Sequence, residues 1–149
     1  MATTKTNQFE VIDGTTVDKL DPIDLEGRIR VAFFSHTCES EASGSTIKLT
    51  KVPAGARVLA IAFASEDCGN AGATIEIGDS GDTDRLVSAF DIGTAAVAYS
   101  FRAMRTPTTE TPDIGFGYQY TSATEITATT AVDALNTNNF WGAIFYVVD

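Results

Sequence analysis

Apolar and polar residues alternate with a period of two along most of the chain, as they do in strands that bury one face. In RIRVAFF, from Arg28 to Phe34, the alternation predicts Ile29, Val31 and Phe33 inward and Arg28 and Arg30 outward. TIKLTKV repeats it, with Ile47 and Leu49 inward and Lys48 outward. The link VPAGARV places Pro53 where a turn wants φ of about −65° and Gly55 where the chain leaves that turn. RVLAIAFAS sets Leu59, Ile61 and Phe63 against Ala60, Ala62 and Ala64. Two apolar faces predict a central strand whose alanine side is closely covered. ATIEIG, RLVSAFDIG, AVAYSFR, FGYQYTS, TEITATTAV and FWGAIFYVV bring the predicted strands to nine, at the short spacing of an antiparallel sandwich.

Helical periodicity is nearly absent, and any helix would be a single turn near TAVDALN. Residues 1–27 follow neither period, which predicts an extended N-terminal arm ahead of a β-sandwich domain over 28–149. MRTPTTETPDIG, residues 104–115, reads as an exposed loop with two prolines. The last strand has apolar residues on both faces: Phe140, Ile144, Tyr146 and Val148 on one, Trp141, Ala143, Phe145 and Val147 on the other. An outer strand of a lone two-layer sandwich does not need a second apolar face, so the arm or another subunit is expected to cover it.

A chain of 149 residues with 44% hydrophobic content suits one domain with a real core. The net charge of −10, with only ten basic residues, argues against binding nucleic acid or an anionic membrane, because both attractions need clustered Lys and Arg. MATTKTNQFEVI has no signal-peptide core and no window has the apolar length of a membrane span, so synthesis in the cytoplasm is expected. Cys38 and Cys68 are too few for a disulfide scaffold and are expected to remain thiols at strand ends.

Three places invite a chemical reading. IEIGDSGDTDRLV carries Asp79, Asp82 and Asp84, but an EF-hand spacing would put ligands at Asp79, Gly81 and Thr83 with no closing Glu. A turn explains more: Gly78 and Gly81 permit positive φ, Asp79 and Asp82 can accept backbone N–H groups, and Asp84 neighbours Arg85 as a possible partner. His36 and Cys38 stand two apart on one strand face, so a dyad is geometrically open, yet no oxyanion arrangement accompanies it. Phe116, Tyr118 and Tyr120, with Trp141, could stack sugar rings, although alternating aromatics are also what a sandwich interior needs. No catalytic, cofactor-binding or metal-ligating residue is assigned, and no enzyme activity or cofactor is expected.

Residues 51–98, KVPAGARVLAIAFASEDCGNAGATIEIGDSGDTDRLVSAFDIGTAAVA, resemble small virion proteins of tailed bacteriophages, in which a PxGARVL turn and strand precede an IGD…DxDR hairpin. They are similar to head decoration (cement) proteins. The resemblance implies an all-β, jelly-roll-like sandwich, a homotrimer, and a place on the capsid exterior. There it would bind the major capsid protein and hold neighbouring subunits together. A receptor- or glycan-binding fibre or tail module is the alternative that the aromatic residues and the proline loop suggest.

Overall fold

The structure, a computed structural model, describes residues 28–70, 72–93, 98–103 and 118–148, with backbone only over 98–103. The expected arm over 1–27, the loop over 104–115 and Phe116 lie outside the described residues.

Eight strands form two four-stranded antiparallel sheets: β1 (Arg30–Thr37), β2 (Thr46–Val52), β3 (Ala56–Ser65), β4 (Thr74–Asp79), β5 (Asp82–Asp91), β6 (Ala98–Ala103), β7 (Thr124–Ala131) and β8 (Asn139–Val148). One sheet runs β1-β8-β3-β6 and the other β2-β7-β4-β5. This interleaved order is that of a jelly roll, in which each sheet draws alternately on the first and second halves of the chain. No helix occurs among the described residues, and TAVDALN forms turns instead.

Among its described residues, 118–122, the expected strand FGYQYTS forms no extended strand. Around Tyr120 the chain makes a single bridge, Gln119 to Arg57, and Tyr120 exchanges two backbone bonds with the β2–β3 turn: its N–H donates to Ala56 and its carbonyl accepts from Gly55. That turn forms as read from VPAGARV, with Gly55 at φ +82°.

Aromatic rings join the sheets. Phe63 of β3 lies 4.4 Å from Phe90 of β5 and 5.5 Å from Phe140 of β8, with Phe34 of β1 at 6.2 Å. Offset and edge contacts at such spacings add to the area that the rings bury. Ile75, Ile77, Ile126 and Ile144 fill the rest of the interior and are fully buried.

β1 enters the sheet one residue out of step with the expected alternation. Phe34 faces the core, whereas Ile29, Val31 and Phe33 are exposed by 62%, 41% and 81%. Gly142 supplies the reason. It pairs with Phe34 across the β1–β8 ladder, and a Cβ there would stand 2.6 Å from Phe34 Cζ, so only glycine admits the ring. Because a strand's side chains alternate, fixing Phe34 inward turns Val31 and Phe33 outward.

β3 is central, between β8 and β6, as its two apolar faces predict, and Ala60 and Ala64 are buried. A bulge at Leu59 shifts its first turn of pattern, so Val58 as well as Ile61 reaches the core. β8 is also an inner strand, not an outer one: β1 flanks it on one side and β3 on the other.

Candidate functional site

The outward side of the β1-β8-β3-β6 sheet is apolar. Register places Val31 beside Phe145, Phe33 beside Ala143, and Ser35 beside Trp141. It then continues onto β3, with Ala60 beside Phe145, Ala62 beside Ala143 and Ala64 beside Trp141. Val31, Phe33 and Trp141 are exposed on this side, while Ala60, Ala64 and Ala143 between them are buried. A monomeric soluble domain seldom shows so continuous an apolar face without a partner for it. The sequence pattern had assigned Ile29, Val31 and Phe33 to the core; the signal that would have found them is the neighbouring Phe34, which competes for the same interior and wins through Gly142.

The other sheet presents Thr46, Lys48 and Glu76 on its outward side. Lys48 Nζ meets Glu125 Oε2 at 2.8 Å, an exposed pair of small energetic weight.

The three aspartates occupy the β4–β5 hairpin, in unequal roles. Asp79 is buried: its Oδ1 accepts the N–H of Gly81 at 2.8 Å and of Asp82 at 3.2 Å, and its Oδ2 accepts Arg85 Nε at 2.6 Å. Burial alone would raise the Asp79 carboxyl, but the Arg85 guanidinium and the Gly81 amide outweigh it and hold it below the ordinary carboxylate value. Arg85 also lies 3.9 Å from Asp82 Oδ2, and its guanidinium carbon sits 4.0 Å over the Tyr118 ring. The expected partnership of Asp84 with Arg85 is therefore corrected: adjacent strand residues point to opposite faces, and Arg85 turns to Asp79. Asp84 shares a hydrogen bond with Asp82, which pushes its carboxyl up. Gly78 and Gly81 are also read differently here, since neither has a positive φ; a Cβ at Gly78 would collide with the Asp82 carbonyl across the hairpin.

The aromatic residues form no row among the described positions. Tyr120 is buried, with its hydroxyl pushed up first by burial and then by the negative Asp79 nearby, and its ring meets Tyr118 edge-on at 5.1 Å. One face of Tyr118 is already covered by Arg85. Trp141 belongs to the outward side of β8.

His36 and Cys38 do converge, since both continue the inner face of β1 beyond Phe34. His36 packs 5.2 Å from Phe140 and its Nε2 is 2.6 Å from Glu41 Oε1. Burial, and then the neighbouring Cys68, push the Cys38 thiol up to about 12, so it is protonated at neutral pH and is no nucleophile on its own. Cys68 is likewise free and buried, its thiol also raised by burial.

No protein-family model matches the chain, and no curated protein matches its sequence. The fold, however, is shared with chains of solved phage capsids. A chain of the cyanophage Pam1 capsid asymmetric unit superposes with a TM-score of 0.64 at 19% identity, covering 100% of both chains. One from the capsid of Ralstonia phage GP4 gives 0.64 at 17% identity, over 91% of this chain and 93% of that one. The acidic stable capsid of Helicobacter pylori bacteriophage KHP30 contributes a third, with 0.52 at 12% identity over 80% of this chain and 87% of that one. At these identities the likeness is one of fold: an eight-stranded jelly roll also found in chains of those capsids.

Proposed function

We propose that this chain is a structural virion protein, a decoration (cement) protein that binds the outside of a bacteriophage head and stabilises contacts between major capsid protein subunits. The observation that carries the reading is the set of exposed apolar side chains, Val31, Phe33 and Trp141, on the outward side of β1 and β8, which a protein partner would cover. Three further features agree with it. The same fold occurs in chains of three phage capsids, the conspicuous aspartates serve as turn and ion-pair acceptors, and the net charge of −10 keeps the rest of the surface solvated. A closed three-fold assembly would bury such a face without propagating fibres, and it matches the local symmetry at which capsid subunits meet, so the reading includes a homotrimer. The glycan-binding alternative draws no support from the described rings, which are dispersed and in part already stacked within the chain.

The test is to add purified chain to heads of its own phage assembled without it. Saturable binding that raises the temperature at which the heads open, together with a light-scattering mass of about three times 15.8 kDa, is the expected outcome. A stable monomer that leaves the heads unchanged would overturn the reading. Specific binding on a glycan array, lost on Trp141→Ala, would favour the alternative.

A further inference from the structure

At one end of the sandwich the end of β1, the β1–β2 loop and the β3–β4 loop bring four metal-binding side chains of three types together. The ligand atoms of His36, Cys38 and Glu41 all lie within 4.8 Å of one another. Cys68, from the other loop, is buried close enough to Cys38 to raise its thiol, and its own Sγ donates to the Asn139 carbonyl at 3.2 Å. We propose that these residues form a tetrahedral site for Zn²⁺ or a similar thiophilic divalent ion, with His36 Nε2, Cys38 Sγ, Glu41 and Cys68 Sγ as ligands.

The donor set selects the metal. Two sulfurs and an imidazole suit Zn²⁺, whereas Ca²⁺ and Mg²⁺ require oxygen shells that this end of the fold does not offer. In a tetrahedral zinc site ligand atoms stand about 3.3–3.8 Å apart. The His36–Glu41 contact at 2.6 Å must therefore open slightly, which side-chain rotation can supply.

The backbone is already fixed around each ligand. Cys38 N–H donates to the Asn138 carbonyl at 2.9 Å, and Leu135 N–H donates to the Glu41 carbonyl at 2.9 Å. Cys68 donates its N–H to Ile92 at 2.9 Å and accepts from Asn136 at 2.8 Å. Glu41 Oε2 accepts the Glu39 N–H at 2.9 Å, leaving Oε1 aimed at the imidazole. Between them Ser40 takes φ +64°, a left-handed conformation that turns Glu41 back toward His36. Such outer support is what orients first ligands in metal sites.

Binding would proceed with a defined proton count. Each thiol loses its proton to solvent as its sulfur takes up the ion, and the ring proton that Nε2 donates to Glu41 Oε1 moves through solvent to Nδ1 so that Nε2 can ligate. One Zn²⁺ thus replaces two protons, and affinity rises with pH. The ion would clamp the two loops to each other, a role separate from the apolar face and from the capsid reading.

The experiment uses the full chain, stripped with chelator and held reduced with a phosphine. Titration with Zn²⁺ in two buffers of different ionisation enthalpy should show one ion bound and two protons released, with a higher melting temperature. Co²⁺ in its place should give the intense ligand-field bands of a tetrahedral site and a thiolate charge-transfer band. His36→Gln and Glu41→Gln, at partly exposed positions that should leave folding intact, are expected to weaken binding about 100-fold or more, beyond the range for outer-shell partners. Reduced wild-type protein without Co²⁺ bands would overturn the proposal. So would thiols that oxidise to a Cys38–Cys68 disulfide in air despite equimolar Zn²⁺, because coordinated thiolates resist oxidation.

Discussion

The two outer faces of this sandwich are built on opposite plans. On the β2-β7-β4-β5 sheet, Thr46, Lys48 and Glu76 lie on the outward side, and the buried Asp79 is neutralised within its own hairpin. On the β1-β8-β3-β6 sheet, Val31, Phe33 and Trp141 are exposed beside buried alanines. On the proposed reading the first sheet is complete within one chain, and a partner completes the second. Damage to the first should therefore appear as lost stability of the isolated chain, and damage to the second as lost association.

The largest effect on stability is expected from Asp79→Ala. It leaves the Arg85 guanidinium buried without its partner, and breaking such a pair costs about 3–5 kcal/mol. Urea denaturation of the isolated chain would measure it. An effect near zero would mean that the polar sheet does not depend on its internal ion pair.

Phe33→Asp reverses the pattern. At an exposed site it should change the chain's own stability by no more than about 0.5 kcal/mol, while a charge at the centre of the covered face should weaken association by about 2 kcal/mol or more. Lys48→Asp on the opposite face is the control and should leave association unchanged. If the two variants behaved alike in light scattering and head binding, the contrast between the faces would be lost.

Acid should act mainly through Asp79. Its folded carboxyl lies below the unfolded value of about 3.9, so its contribution is fully present above that value and is lost as pH falls through the depressed one. Glu41 adds in the same direction: burial would raise it, but hydrogen bonds from His36 and from backbone amides hold it down. Urea midpoints measured from pH 6 downward should fall in this range, less steeply for Asp79→Asn. Asp82→Asn, by contrast, should cost about 1 kcal/mol or less, since the residue only borders Arg85 and its change relieves Asp84.

The smallest expected change is a gain, at the rim between the faces. Val132 closes a three-residue turn in which Asp133 N–H donates to the Ala131 carbonyl at 2.9 Å, and it does so at φ +70° with its side chain 78% exposed. A β-branched residue is strained there. Val132→Gly should stabilise the chain by about 0.5 kcal/mol, relief of strain being partly offset by a freer unfolded chain. Thermal melting is sensitive enough to see it.

The strands were largely legible in the sequence because alternation depends on local chemistry alone. Facing was legible only where one assignment was possible. In β2, Ile47 and Leu49 alternate with lysines and point inward as read, whereas in β1 the adjacent Phe33 and Phe34 offer two solutions, and Gly142, more than a hundred residues away, decides between them. The hairpin was half legible: a turn was evident, but Arg85 follows Asp84 in sequence and turns to Asp79 in space. The convergence of Glu41 and Cys68 on His36 and Cys38 had no sequence signal, since it depends on two loops that meet only after both sheets close.

The interleaved strand order also sets a timetable for synthesis. Thr37 donates its hydroxyl proton to Asn139 at 2.7 Å across 102 positions of chain, so the first described strand waits for the last before it can pair. Until β8 leaves the ribosome, β1 and β3 flank a gap, and Phe34 and Phe63 have lost their nearest cover. Pairing over such separations is slow, and unpaired apolar strands are where nascent chains stick to one another. A growing chain stopped short of residue 139 is therefore a natural client for chaperones, and release of the final strand is the event that ends its dependence.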